Sequence, residues 1–189
     1  MDLKKAIGSV DLHPLQFEYG RSLVRLQRPR NSFQIRPDQG PRLRHDGRWW
    51  HLDRMDFHMP SEHHIDSQPF DMEIQFIHRD DQGKSLVLAV LVNEGTRHEE
   101  AARLVTFAKG ATGDDRLSLT PGKFLPKKRD YFLYPGSMTV PPCQEGIRWL
   151  VLARPVTLSP DQLDAVARYT GRNARPLQAM ASRVPLRSR

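Results

Sequence analysis

Short runs in which apolar and polar residues alternate recur along most of the chain, separated by turn-forming residues. This period of two is typical of half-buried β-strands. Turns are expected where Pro, Gly and Asp cluster, as at 37–40, 46–47 and 80–83. The pattern predicts these strands: Gln16–Tyr19, Ser22–Leu26, Ser32–Arg36, Trp49–His58, Asp71–His78, Ser85–Asn93 and Ile147–Ala153.

Helical spacing is confined to two segments of the sequence. Thr96–Phe107 has apolar residues three and four positions apart and begins with the residues of a capping box. A second helix is predicted to begin after Ser159, where Pro and an acid follow, and to end near Tyr169. We therefore predict one mostly β domain over residues 1–189, with a few short peripheral helices.

Positive charge is concentrated in two parts of this chain, whose net charge is +7. Between Arg21 and Arg48, eight arginines stand against Asp38 and Asp46, and from Asp164 onward six arginines stand against one acid. Such charge is either a solvated surface or a surface for an acidic partner. Because arginine makes paired contacts with carboxylate, sulfate or phosphate, we predict a binding patch formed by Arg21, Arg25, Arg28, Arg30, Arg36, Arg42, Arg44 and Arg48.

Several classes of protein are not favoured by the sequence. The longest apolar run, Leu86–Val92, has the length of a strand, whereas a transmembrane helix needs about 18 apolar residues. The motifs of phosphate-binding loops, dinucleotide sites and the nucleophile elbow of hydrolases are absent. Cys143 is the single cysteine, so no internal disulfide can form, which fits a reducing compartment.

Residues with metal-ligand chemistry lie on two neighbouring predicted strands. Alternation places Asp56 and His58 on one face of the first strand, and Glu73, Gln75 and Ile77 on one face of the next. Adjacent strands would bring Asp56, His58 and Gln75 together. A catalytic zinc site needs three protein ligands and one open position, and a Gln oxygen is a poor neutral ligand.

The segments that contain these residues resemble the α-carbonic anhydrases, the bacterial members in particular. The resemblance covers about residues 12–178 and leaves 179–189 as a basic tail. Its motifs follow in the family's order: Phe57–His63 (FHMPSEH), Met72–His78 (MEIQFIH), Leu88–Gly95 (LAVLVNEG), Tyr134–Cys143 (YPGSMTVPPC), Glu145–Trp149 (EGIRW) and Asn173–Gln178 (NARPLQ). The resemblance implies a central twisted, mainly antiparallel sheet and a zinc enzyme that hydrates carbon dioxide.

The metal ligands are where this sequence departs from the family. On the family's pattern the three zinc histidines fall on Asp56, His58 and Gln75, so two of the three are replaced. Glu73 matches the acid that orients the third ligand. An anionic ligand at position 56 would partly cancel the charge of the metal, and the pKa of a metal-bound water would rise. The resemblance therefore predicts degenerate metal positions.

The rest of the family's site is better preserved. Glu62 and Thr139 match the pair that orients the zinc-bound hydroxide, and Val140 replaces a second threonine. The apolar wall of the carbon dioxide pocket falls on Ile77, Val87, Met138 and Trp149, with Val140 in the same pocket.

Two functions remain open from the sequence. The first is a catalytically inactive domain that holds no cofactor and serves as a binding or structural module in a larger assembly. The second is a weak carbonic anhydrase in which zinc still binds. The family's segment before a stretch like the one near Gly8 has no counterpart here, so we expect the site to be open to solvent and a protein partner to cover that face.

Other partners and the compartment follow from the same residues. An anionic polymer such as a sulfated polysaccharide is the next partner after a protein, and nucleic acid is not favoured because no reading motif is present. The first residues, MDLKKAIGSVDL, lack the apolar core of a signal peptide. The family's ancestry implies a periplasmic or secreted location, and a cytoplasmic one is the alternative.

Overall fold

The computed structural model describes residues 1–3, 6–9, 12–29, 32–112, 114–140, 142–179 and 183–188. Two α-helices lie within these residues, α1 (Glu99–Gly110) and α2 (Pro160–Thr170), with a short 3₁₀ helix at Pro121–Phe124. The strands are β1 (Ile7–Ser9), β2 (Gln16–Glu18), β3 (Ser22–Gln27), β4 (Gln34–Pro37), β5 (Arg42–His45), β6 (Arg48–His58), β7 (Met72–Arg79), β8 (Ser85–Glu94), β9 (Arg116–Leu119), β10 (Tyr131–Ser137), β11 (Glu145–Leu152), β12 (Val156–Leu158) and β13 (Leu186–Ser188).

These strands form one mixed sheet, in the order β1-β13-β10-β11-β8-β7-β6-β4-β3-β9 along its main path. β5 joins β6 and β2, and β12 joins β8. The paired strands are antiparallel except for β1 with β13, β11 with β8 and β12 with β8. The prediction of a mostly β fold built on a large twisted sheet is confirmed.

The central strands β7 and β8 are buried on both faces, which explains their nearly continuous apolar sequence. One face packs under the helices, through residues such as Leu104 of α1 and Val166 of α2. The other face carries a smaller cluster that includes Ile77, Val87 and Trp149. This second face is the one on which the predicted site lies.

The element predictions hold where alternation is long and lose accuracy at the ends. All seven predicted strands are present with shifted bounds, and α1 begins at Glu99 because the His98 side chain accepts a hydrogen bond from the N–H of Ala101.

β10 was not predicted, since Pro135 and Gly136 interrupt its pattern. The prediction of a tail at 179–189 is wrong in part, because β13 joins the sheet there. No described helix combines the length and apolarity that a membrane span would need.

Candidate functional site

The pairing of β6 with β7 sets the geometry of the site. Asp56 lies opposite Gln75, and His58 lies opposite Glu73. All four side chains belong to buried residues, at 8% exposed for Asp56, 7% for His58, 2% for Gln75 and 0% for Glu73. The sheet therefore brings together the three positions that alternation predicts to be neighbours. The expectation that these positions are open to solvent is wrong.

Arg54 occupies the same face of β6, two residues before Asp56. Its Nε donates to both carboxylate oxygens of Asp56, at 2.9 and 3.1 Å. Its Nη1 donates to Asp53, which also accepts from Arg36 at 2.7 Å. Burial raises the pKa of Asp56, and the Arg54 guanidinium opposes that rise. Arg54 is not among the site residues predicted from the sequence, although its position two residues before Asp56 on a strand places it on the same face.

Gln75 is held by two carboxylates on the opposite side of the site. Its Nε2 donates to Glu62 at 2.8 Å and to Glu73 at 3.0 Å. Carboxylates accept and do not donate when ionised, so these contacts assign the amide nitrogen of Gln75 to this side. The amide therefore acts here as a hydrogen-bond donor.

Glu73 lies at the centre of a buried chain of hydrogen bonds. Its carboxylate accepts from the backbone N–H groups of Glu62 and His63 and from His63 Nδ1, at 2.9–3.0 Å. Burial alone would raise its pKa, but the adjacent His63 and these hydrogen bonds lower the pKa to about 2. His63 Nε2 lies 2.6 Å from the Tyr134 hydroxyl, and burial raises the pKa of Tyr134 well above its usual value.

His58 is the exception in this hydrogen-bonded network. Its Nδ1 is buried without a hydrogen-bond partner among the described residues and lies 3.5 Å from Glu62 Oε1. That distance is too long for a good hydrogen bond to a carboxylate. Among the three predicted metal positions, His58 is thus the one with a buried ring nitrogen that makes no hydrogen bond to a described residue.

Glu62 is fixed by the segment that follows α2. Its Oε1 accepts from the backbone N–H of Arg175 at 2.9 Å. Asn173 ties the same segment to β6 by donating to the Phe57 carbonyl at 3.0 Å. Thr139 lines one cavity with Glu62, but within the described part of the chain no hydrogen bond joins the Thr139 hydroxyl to Glu62. The predicted pair therefore shares a cavity without a direct bond.

The predicted apolar wall divides into two parts. Ile77, Val87 and Trp149 are buried together, and Met138 packs against them as a partly buried residue. Val140 does not join this wall, because the residue is 53% exposed and packs with neither part of it. The placement of Val140 in the pocket is therefore wrong.

A cavity of about 280 Å³ opens beside this wall. Glu62, His63, Tyr134, Trp149 and Arg175 are among its lining residues. Asp56, His58 and Gln75 are not in the lining. The cavity therefore reaches Glu62 and His63, which bond to Gln75 and Glu73, but not the three predicted metal positions themselves.

The predicted arginine patch is spread over several strands, and much of its charge is paired. Arg25 pairs with Asp38 and Arg42 with Glu18, at 3.1 and 2.6 Å. Further pairs join Arg36 to Asp53 and Arg48 to Asp80. Among the other members, Arg28 lies over the Tyr169 ring and Arg44 lies near the Trp49 ring. Arg21 is exposed, and Arg30 is outside the described residues.

Comparison with known proteins relates the chain to carbonic anhydrases. The family model for eukaryotic-type carbonic anhydrase matches residues 3–185. The carbonic anhydrase of Neisseria gonorrhoeae is 32% identical over 177 residues, which cover 92% of this chain and 70% of that protein. The α-carbonic anhydrase of Photobacterium profundum superposes with a TM-score of 0.89 at 31% identity, over 98% of this chain and 87% of the other.

A second solved structure is similar although its protein has a different name. Dioscorin complexed with ascorbate superposes with a TM-score of 0.88 at 27% identity, over 99% of this chain and 83% of that one. The fold is thus shared between carbonic anhydrases and a protein described by its complex with an organic acid.

Zinc, which α-carbonic anhydrases generally use, does not fit the residues at the predicted positions. The Asp56 carboxylate is bound by Arg54, and the Gln75 amide nitrogen is bound by two carboxylates. The Gln75 oxygen is a poor neutral ligand, so His58 is left as the one strong donor, where zinc needs three. The guanidinium beside Asp56 would also repel a dication.

Proposed function

We infer that this chain, which belongs to the eukaryotic-type carbonic anhydrase family, is a member that acts as a binding module and does not hydrate carbon dioxide. The observation that carries this proposal is the Arg54–Asp56 ion pair on the face where the family resemblance places the metal. In this pair the Arg54 guanidinium occupies the carboxylate that a metal would need at position 56. Unlike a metal, a guanidinium has no coordination position at which water is acidified.

The hydrogen bonds around the ion pair support the same proposal. Gln75, Glu62, Glu73 and His63 bond to one another and leave no three of the described His, Cys, Asp or Glu side chains grouped as a metal site. Each group is committed to another group of the protein. Such a network ties β7 to the segment that follows β6, and its groups need no metal to satisfy them.

A protein partner is the binding function that the surface favours. Leu177 and Val140 are large apolar residues at 46% and 53% exposure, in segments that contribute Gln178 and Thr139 to the 280 Å³ cavity. We propose that this apolar rim is covered within a larger assembly. If a protein partner co-purifies with the wild type, Val140→Asp/Leu177→Asp should abolish its recovery by affinity purification, whereas Leu23→Asp, at an exposed position on β3, should preserve it. Equal recovery of the partner with both variants would refute the proposal that the partner covers the apolar rim.

Metal content and activity test the loss of catalysis directly. Wild-type protein purified without chelator should contain far less than one zinc per chain by elemental mass spectrometry, and stopped-flow hydration of carbon dioxide should stay at the uncatalysed rate with added zinc. The variant Arg54→Leu/Asp56→His/Gln75→His should gain zinc. Asp56→His/Gln75→His, which keeps Arg54, should gain less. Stoichiometric zinc with hydration in the wild type would contradict the proposal.

A weak zinc-dependent carbonic anhydrase is the second candidate. The observation that favours it is the intact chain from Glu73 through His63 to Tyr134, next to the preserved Glu62. The same assay separates the two candidates, because the weak enzyme would lose its rate on chelation and regain it when zinc is added.

A further inference from the structure

Four cationic side chains from three separate segments meet at one end of the sheet, outside the site described above. They surround a shallow cavity of about 610 Å³ lined by Gly8, Lys128, Arg129, Asp130, Arg154, Arg187 and Ser188. Lys128 and Arg129 precede β10, Arg154 lies between β11 and β12, and Arg187 belongs to β13. We call these residues the basic cavity.

The backbone around the basic cavity is tied together by direct hydrogen bonds. The N–H of Ala153 donates to the Asp130 carbonyl at 2.8 Å, and the N–H of Tyr131 donates to the Ser188 hydroxyl at 2.7 Å. The Asp130 carboxylate lies 3.5 Å from both Arg154 and Arg187. One acid therefore links two of the cationic segments and fixes the shape of the cavity.

Two aromatic rings hold guanidinium groups at this end of the sheet. Arg129 lies over Phe17 at 4.7 Å from the ring centroid, and Arg187 lies over Phe132 at 5.3 Å. A guanidinium stacked on a ring keeps its N–H donors directed outward and loses less freedom when it binds a ligand. The arginines are thus positioned before any ligand arrives.

The described residues that line the basic cavity carry an excess of positive charge. Their four cationic side chains are accompanied by one acid, Asp130, which gives a net charge of +3 from +4 and −1. Lys128 and Arg129 make no ion pair with any described residue. In the arginine patch, by contrast, Arg25 and Arg42 each have a carboxylate partner. Like charges held together raise the local potential and favour a bound anion.

We propose that the basic cavity binds sulfate- or phosphate-type oxyanion groups carried on a saccharide polymer. Guanidinium and ammonium groups match the geometry and charge of such oxyanions. The described residues that line the cavity include no aromatic ring on which a nucleic-acid base could stack, and stacking is what single-stranded nucleic acids use. This inference is independent of whether the family site holds zinc.

A polyanion titration of the full-length chain tests the proposal. A fluorescently labelled heparin hexasaccharide should bind the wild type, and affinity should fall steeply with salt because counterions are released. Lys128→Gln/Arg129→Gln should weaken binding by at least tenfold and flatten the salt dependence. The matched control, Lys109→Gln/Arg172→Gln, removes the same charge from exposed positions outside the cavity, at the end of α1 and just after α2, and should change affinity less than twofold.

Competition experiments identify the source of the oxyanion. Displacement by inorganic sulfate or phosphate at millimolar concentration would assign the site to the free anion, and displacement by unlabelled heparin alone would support the polymer. Equal losses in the two double variants, or no binding at about 0.15 M salt, a near-physiological ionic strength, would overturn the basic cavity as the site. Equally tight binding of single-stranded DNA would overturn the choice of a saccharide.

Discussion

At the scale of single residues, the proposed loss of metal binding rests on the ion pair between Arg54 and Asp56. Both side chains are almost fully buried, at 13% and 12% exposed, and a buried ion pair is costly to form but far more costly to break at one end. Arg54 is held in turn by Asp53. The ion pair at this position is therefore part of the folded structure.

Removal of Arg54 alone should reveal this dependence. Arg54→Leu leaves the buried Asp56 carboxylate unpaired and is expected to destabilise the fold by about 3 kcal/mol in urea unfolding. Arg54→Leu/Asp56→Leu should recover most of that loss. The control Arg25→Leu breaks an exposed pair with Asp38, for which a cost of about 0–1 kcal/mol is expected. A cost for Arg54→Leu no larger than the control's would contradict this account.

The sequence was a better guide to which residues of the site are neighbours than to the hydrogen bonds and ion pairs that their side chains form. Alternation was enough to place Asp56, His58 and Gln75 together, because the register of β6 and β7 continues without a shift through these residues. It did not reveal which polar groups bond to one another. That outcome depends on Arg54 and on Arg175, which is more than a hundred residues away along the chain and bonds Glu62 through its backbone.

At the scale of secondary structure, the β10–β11 pair is the element that encloses the site cavity. Tyr134 and Trp149 pair across these strands, and their rings are stacked 5° from parallel. Gly136 lies against both rings: a Cβ there would come within 2.8 Å of Trp149 and 2.9 Å of Tyr134. The glycine that hid β10 from the alternation pattern is the residue that allows the two rings to pack.

Gly136→Ala should therefore disturb the site from within the sheet. The expected loss is about 1–3 kcal/mol, typical of an overpacked buried position, with a change in tryptophan fluorescence as Trp149 moves. Gly20→Ala is the matched control, because nothing lies within 4 Å of a Cβ at that position, and it should be neutral or slightly stabilising. Similar unfolding midpoints for the two variants would show that the Tyr134 and Trp149 rings can move aside without a loss of stability.

At the scale of the whole molecule, three buried titrating groups on β5 and β7 act on stability in the same direction. Burial, and then Arg148, lower the pKa of His45 to about 4. Burial lowers the pKa of His78 to about 3. Against the effect of burial, His63 and its hydrogen bonds lower the pKa of Glu73 to about 2. In each case the unfolded chain binds a proton at a higher pH than the folded protein does.

Stability should therefore fall as the pH is lowered, in two stages. Below about pH 6.5, the usual pKa of histidine, His45 and His78 bind up to two protons in the unfolded state. They stay neutral in the folded state until the pH is much lower. Each proton steepens the loss by about 1.4 kcal/mol per pH unit. Below about 4.5 protonation of Glu73 in the unfolded state should add to the slope. The free energy of unfolding is to be measured in urea from pH 8 to 4. His45→Gln and His78→Gln should each reduce the slope between pH 6 and 4.5 by up to one proton. An unchanged slope in both variants would show that other groups cause the acid sensitivity.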